Sequence, residues 1–114
     1  MKDYLEIFEK FKDIKEIKEF INDVNNLRFY FNMGNYQQMQ EHINSLTKKY
    51  FVDTLVWNSV NYEMPTTYPQ SYINAENFLQ MQGAKILVKN VLNYKQYLTD
   101  EEIKFIELMT NPME

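Results

Sequence analysis

Between Tyr4 and Val24 the apolar side chains return every three or four residues: Tyr4, Ile7, Phe8, Phe11, Ile14, Ile17, Phe20, Ile21 and Val24. That spacing is one face of an α-helix. It constrains the fold more than any other feature, because so long a stripe has to be buried. The other face carries Glu6 with Lys10, Lys12 with Glu16, and Lys15 with Glu19, each four residues apart. Such a pair contributes only a few tenths of a kcal/mol, so the charge run reads as a solvated helix face. The spacing predicts a helix over 3–24.

Asn22, Asp23, Asn25 and Asn26 are expected to interrupt it, since short polar side chains compete for backbone hydrogen bonds. Leu27 to Met33 has the aromatic content of a strand and the length of two helical turns. No second strand-like run offers it a partner, which favours helix over 27–33, ended by a turn at Gly34–Asn35. A further pattern runs from Tyr36 through Met39, Ile43, Leu46, Tyr50, Val52, Leu55, Val56 and Val60. Its phase drifts near Thr47–Tyr50, so 36–62 is one bent helix or two, and it ends before Pro65. Residues 61–74 hold Pro65 and Pro69 with Tyr62, Tyr68 and Tyr72 and no glycine, which predicts a stiff loop.

A fourth helix is expected over 74–97, apolar around most of its circumference and therefore central. Gly83 and Ala84 lie in its middle. A glycine there costs about 1 kcal/mol relative to alanine, which implies that a neighbouring helix packs on the step. The sharpest local signature is Thr99-Asp100-Glu101-Glu102, a capping box flanked by a Leu98–Ile103 staple, opening a helix over 100–110. The expected fold is all-α, a single domain over 1–114 built from four to five helices.

Composition narrows the function. The chain has 114 residues, 45% of them hydrophobic, enough for a core without disulfide or metal staples. Cysteine is absent, which removes thiol catalysis and cysteine-based zinc sites. No apolar run of about 18 residues predicts a membrane span, and the first residues mix acids and bases without a signal-peptide core. Cytoplasmic location is the default expectation. Net charge is −4, and Arg28 is the only arginine, which disfavours nucleic-acid binding. Thirteen asparagines and seven glutamines suggest an AT-rich genome.

The residue types from which active sites are built are scarce. His42 is the only histidine, and its nearest acid, Glu41, is adjacent in sequence and so faces another way on a helix. It reads as structural. Asp100, Glu101 and Glu102 already serve the cap. Ser45, Ser59 and Ser71 lack a nucleophile-elbow context, and two glycines cannot build a phosphate-cradling loop. Neither a catalytic residue nor a cofactor, metal or small-molecule site is identified.

What remains is a surplus of 18 aromatic residues. Most stand on helical stripes, Trp57 among them, and read as core. Tyr62, Tyr68 and Tyr72, with Pro65 and Pro69, either anchor a protein partner or clamp the loop onto the domain.

The stretch Asn74-Ala75-Glu76-Asn77-Phe78-Leu79-Gln80-Met81-Gln82-Gly83-Ala84-Lys85, followed by Ile86-Leu87-Val88, resembles helices in short uncharacterised proteins of tailed bacteriophages. The resemblance is confined to residues 74–98 and implies a phage or mobile-element origin, in host cytosol or virion, with no residue roles attached. The function expected is a non-enzymatic protein-protein interaction or assembly protein that docks on a partner or self-associates. The alternative is a small inhibitor of a host enzyme or defence complex, acting through the Tyr/Pro loop. An enzyme with an unfamiliar site ranks third.

Overall fold

The structure, a computed structural model, describes residues 3–50 and 68–110, with the side chains of Thr47, Tyr68 and Pro69 excepted. Among the described residues it is all-α, with no strand. The helices are α1 (Leu5–Glu9), α2 (Lys15–Asn32), α3 (Tyr36–Tyr50), α4 (Tyr68–Asn90) and α5 (Asp100–Thr110), with a 3-10 turn at Tyr94–Tyr97. The all-α fold of four to five helices is therefore as expected, although several boundaries are not. The expected continuation of the third helix over 51–62 lies outside the described residues, as do Trp57, Tyr62 and Pro65.

The chain groups into two units, residues 1–22 with 80–114, and residues 23–79. In the first, the expected helix over 3–24 is broken after Glu9. Phe8, Phe11, Ile14, Ile17 and Phe20 are spaced by successive steps of three. On a straight α-helix each such step rotates the row by about 60°, which would wind it off any single buried face. The chain tightens instead: Phe11 N–H donates to Phe8 C=O (2.9 Å) and Ile14 N–H to Phe11 C=O (3.0 Å). These i→i−3 bonds give three residues per turn. Phe8, Phe11, Ile17 and Phe20 all stay buried, together with Tyr4, Leu5, Ile7 and Ile21.

Helix α4 contributes Ala84 and Leu87 to the same core, and Val91, the residue after its end, is buried with them. The packing expected at Gly83 is present, and its partners are aromatic rings. A Cβ placed at 83 would lie 2.5 Å from Phe20 Cζ and 3.0 Å from Phe8 Cζ. The two rings meet edge to face at 5.1 Å. Helix α4 stops at Asn90, short of the expected 97. Asn90 Nδ2 donates back to Ile86 C=O (2.8 Å), and Asn93 takes the left-handed conformation (φ 58°), which asparagine tolerates better than most residues. Helix α5 spans the residues expected of it. Both capping-box bonds are made: Glu102 N–H to Thr99 Oγ1 (3.2 Å) and Thr99 N–H to Glu102 Oε1 (2.9 Å).

The asparagines at 22, 25 and 26 do not interrupt α2, contrary to expectation. Their side chains are exposed, while Val24 among them and Leu27 directly after them are fully buried. Asparagine in a helix costs up to about 0.7 kcal/mol, less than the roughly 1.5–3 kcal/mol from burying a valine or leucine. The ambiguous 27–33 segment is thus the end of one continuous helix. Gly34 (φ 71°) terminates it in a Schellman motif, with Gly34 N–H on Phe31 C=O and Asn35 N–H on Tyr30 C=O, both 3.0 Å. Asn35 then caps α3 by accepting from Gln38 N–H at Oδ1 (3.2 Å). Met39, Ile43 and Leu46 form its buried stripe.

Residues 68–74, expected in a loop, form the first two turns of α4. Pro69 is compatible with this because a first-turn residue needs no intrahelical N–H donor, and the proline ring presets a helical φ. Ser71, Ala75 and Leu79 are the buried positions of this part of α4.

Candidate functional site

The ionisable side chains with resolved partners are held by structural contacts. Glu102 Oε1, besides serving the cap, accepts from Lys10 Nζ at 2.8 Å. Lys10 therefore engages the start of α5 as well as lying four residues from Glu6. The Lys10 bond, and then the Thr99 amide, hold the Glu102 carboxyl below its ordinary range. Asp23 Oδ2 accepts from Lys49 Nζ (2.8 Å) and from the Tyr50 hydroxyl.

His42, half-buried, donates from Nε2 to Asp23 C=O (2.9 Å) and lies edge-on to Tyr30 at 5.8 Å. It has the structural placement expected of it. Among the described residues no three acids or histidines converge on a possible metal position. Of the three serines considered, Ser71 is buried in α4, Ser45 is exposed on α3, and Ser59 lies outside the described residues.

The Tyr/Pro group is dispersed. Tyr62 and Pro65 lie outside the described residues, and Tyr68 and Pro69 lie in the first turn of α4. Tyr72 points at α2. Its ring stacks on Phe31 at 4.0 Å with the planes 9° apart. Beside it Arg28 donates through Nε (3.1 Å) and Nη2 (2.8 Å) to a single oxygen, Oε1, of Glu76. Burial, and then hydrogen bonding and charge at Glu76, push the Tyr72 phenol well above the ordinary tyrosine range, against the opposing pull of Arg28. Tyr72 is thus a clamp between α2 and α4. Gly83 is likewise filled from within its own unit, by Phe20 and Phe8, leaving no open groove for an outside helix.

The open surface lies elsewhere. In the second unit Phe29 is 59% and Met33 67% exposed, with Tyr36 and Ile73 less so. In the first, Leu92 is 90% exposed, and Val88, Tyr97 and Leu108 are also open. Large apolar side chains held in water are the usual material of binding surfaces. The sequence reading missed Phe29 and Met33 because it ended the helix at the asparagines. Carried through at helical pitch from Lys15, the pattern places both with Asn25, Asn26 and Asn32, opposite the buried Val24 and Leu27.

A surface depression of 480 Å³ is lined by Glu9, Lys12, Asp13, Lys18, Ile21 and Asn22. Its two acids and two bases give it no dominant sign of charge.

The geometry thus defines the class only as an all-α protein with solvent-facing apolar side chains. No protein-family profile matches the chain, and neither a curated protein nor a solved structure matches it. Among the described residues, no helix is long and apolar enough to cross a membrane.

Proposed function

We propose that this chain is a non-enzymatic protein-interaction or assembly protein. The observation that carries the reading is the exposure of Phe29 and Met33, two large apolar side chains four residues apart at the C-terminal end of α2, Met33 being the residue after its last turn. Each leaves apolar area in water that a partner would remove, at roughly 25 cal/mol per Å². The polar clusters around Asp23, Glu76 and Glu102 are explained by helix packing and capping, so the surface is the feature left in need of a function. A setting in a phage particle rests on the resemblance of residues 74–98 alone.

The inhibitor alternative loses its proposed anchor at Tyr72, which is engaged with Phe31. The test is size-exclusion chromatography with light scattering, on the purified chain and on a tagged copy recovered from its native host. A defined complex, of this chain with itself or with another protein, is the expected result. A strictly monomeric species in both samples, 13.9 kDa for the untagged chain, would overturn the reading.

A further inference from the structure

Charge is unevenly placed along the chain. Residues 77–99 hold three lysines, Lys85, Lys89 and Lys95, and no acid, in a protein of net charge −4. Lys85, Val88, Lys89 and Leu92 stand at i, i+3, i+4 and i+7, so α4 and the turn that follows it present them on one side, away from the buried Ala84, Leu87 and Val91. All four are exposed. Leu92, the most open, stands between the end of α4 and left-handed Asn93. The 3-10 turn adds Lys95 and Tyr97, both exposed, with the Tyr97 ring propped edge to face against Phe11 at 5.8 Å. A depression of 550 Å³ at this turn is lined by Asn93, Tyr94, Lys95 and Gln96, one base and no acid. Among the described residues no acid pairs with Lys85 or Lys89. Lys95 meets Glu107 at 3.9 Å with both side chains more than half exposed, which makes a weak pair.

We propose that this end of α4 docks on a bilayer containing anionic phospholipid. Leu92 and Val88 enter the boundary between headgroups and acyl chains, Tyr97 lies at headgroup level, and the three lysines meet lipid phosphates. Neither the charge nor the apolar surface alone would select lipid; the two together do. Lysines interleaved with leucine and valine, and with a tyrosine beside them, are the composition of elements that lie at membrane surfaces. A nucleic-acid backbone would engage the lysines and leave Leu92 and Val88 in water. Protein interfaces favour arginine and disfavour lysine, and a projecting leucine there needs a pocket cut to fit it. A fluid bilayer takes such a side chain without one. Because the other side of α4 is committed to the core, only this edge enters, so attachment is reversible and sensitive to salt. The chain rests on the surface and does not cross it. The proposal is independent of Phe29 and Met33 on α2.

The test is co-sedimentation of the whole chain with vesicles of phosphatidylcholine alone and of phosphatidylcholine mixed with phosphatidylglycerol, at low and high salt. The expected result is binding to the mixed vesicles only, weakened by salt. Each lysine near an anionic surface is worth roughly fivefold in partitioning, so Lys85→Gln/Lys89→Gln should weaken binding roughly 25-fold. Leu92→Ser should weaken it about tenfold or more, with helical circular dichroism unchanged in both variants. The chain has no cysteine, so Leu92→Cys and Met33→Cys each carry a single polarity-sensitive dye. On mixed vesicles the dye at 92 should shift to the blue and the dye at 33 should not.

No binding to mixed vesicles, equal binding to both kinds, or binding indifferent to these substitutions overturns the proposal. So does a blue shift at 33 without one at 92. A chain that ignores vesicles but enters a complex in its host that Lys85→Gln/Lys89→Gln abolishes has an acidic protein at this patch. That outcome overturns the lipid assignment and leaves the interaction reading intact.

Discussion

The ring of Tyr72 on α4 lies 4.0 Å from that of Phe31 on α2, the two planes within 9° of parallel. Stacking this close ties two helices through one aromatic pair, so Tyr72→Ala should destabilise the fold by about 2 kcal/mol. Tyr72→Phe keeps the stack and should cost less than about 1 kcal/mol. Urea unfolding followed by circular dichroism measures both. A Tyr72→Ala protein of unchanged stability that lost a partner would instead make Tyr72 a binding anchor.

The same tyrosine predicts an alkaline signature. Its folded-state phenol titrates above the ordinary 10.0 because burial and Glu76 disfavour the phenolate. A group raised on folding stabilises fully below its unfolded pKa and loses that contribution as pH rises through its folded value. The unfolding midpoint should therefore fall above pH 10, and fall less in Tyr72→Phe. Absorbance titration at the phenolate band should show a late-ionising component that Tyr72→Phe removes.

At the start of α5 the sign is reversed. Lys10 and the Thr99 amide lower the Glu102 carboxyl pKa on folding. Its contribution is present above the unfolded value of 4.5 and is lost as pH falls through the lower folded value. Stability measured from pH 6 downward should decline below that point, and Lys10→Met should shrink the decline. Thr99→Ala should cost about 1 kcal/mol at neutral pH through the cap alone.

The two glycines should respond to alanine for different reasons. At 83 the added methyl meets Phe20 at 2.5 Å. Overpacking of this kind costs roughly 1–3 kcal/mol, against about 1 kcal/mol gained in helix propensity, so Gly83→Ala should be destabilising or at best neutral. At 34 there is open space around the position and a φ of 71°, so Gly34→Ala should cost about 1 kcal/mol through backbone strain. Gly34→Asn should recover part of that loss, and a matching gain at 83 is not expected. Thermal unfolding of the three variants checks this.

Asp23 anchors α3 to α2 through Lys49, Tyr50 and its own carbonyl at His42. Asp23→Ala removes the carboxylate contacts and should cost about 2 kcal/mol. Hydrogen exchange should report the change chiefly in the last turns of α3.

Helix α5 was legible to the residue because its signal, Thr99 through Glu102 with Leu98 and Ile103, is local and complete in sequence. The break between α1 and α2 was not, because residues 10–14 contain neither glycine nor proline. What marked it was the run of threes from Phe8 to Phe20, readable only once a change of helical pitch is considered. The asparagines of α2 misled for the opposite reason: their local preference is real, and the burial of Val24 and Leu27 outweighs it. That error also hid Phe29 and Met33, since a side chain's exposure depends on the phase of the helix it belongs to. Tyr72 was singled out only as one of three loop tyrosines, and its contact with Phe31 could not be read because it depends on α4 beginning six residues early, at Tyr68 instead of 74.

The ring of Phe20 occupying the notch at Gly83 has a consequence for descent. The two positions are coupled: enlargement at 83 is best accommodated by a smaller residue at 20, while position 34 meets no neighbouring atom and is limited only by its own backbone conformation. In diverged descendants of this chain, residues 20 and 83 should exchange volume as a pair, a mark by which distant kin can be recognised after the rest of the sequence has changed.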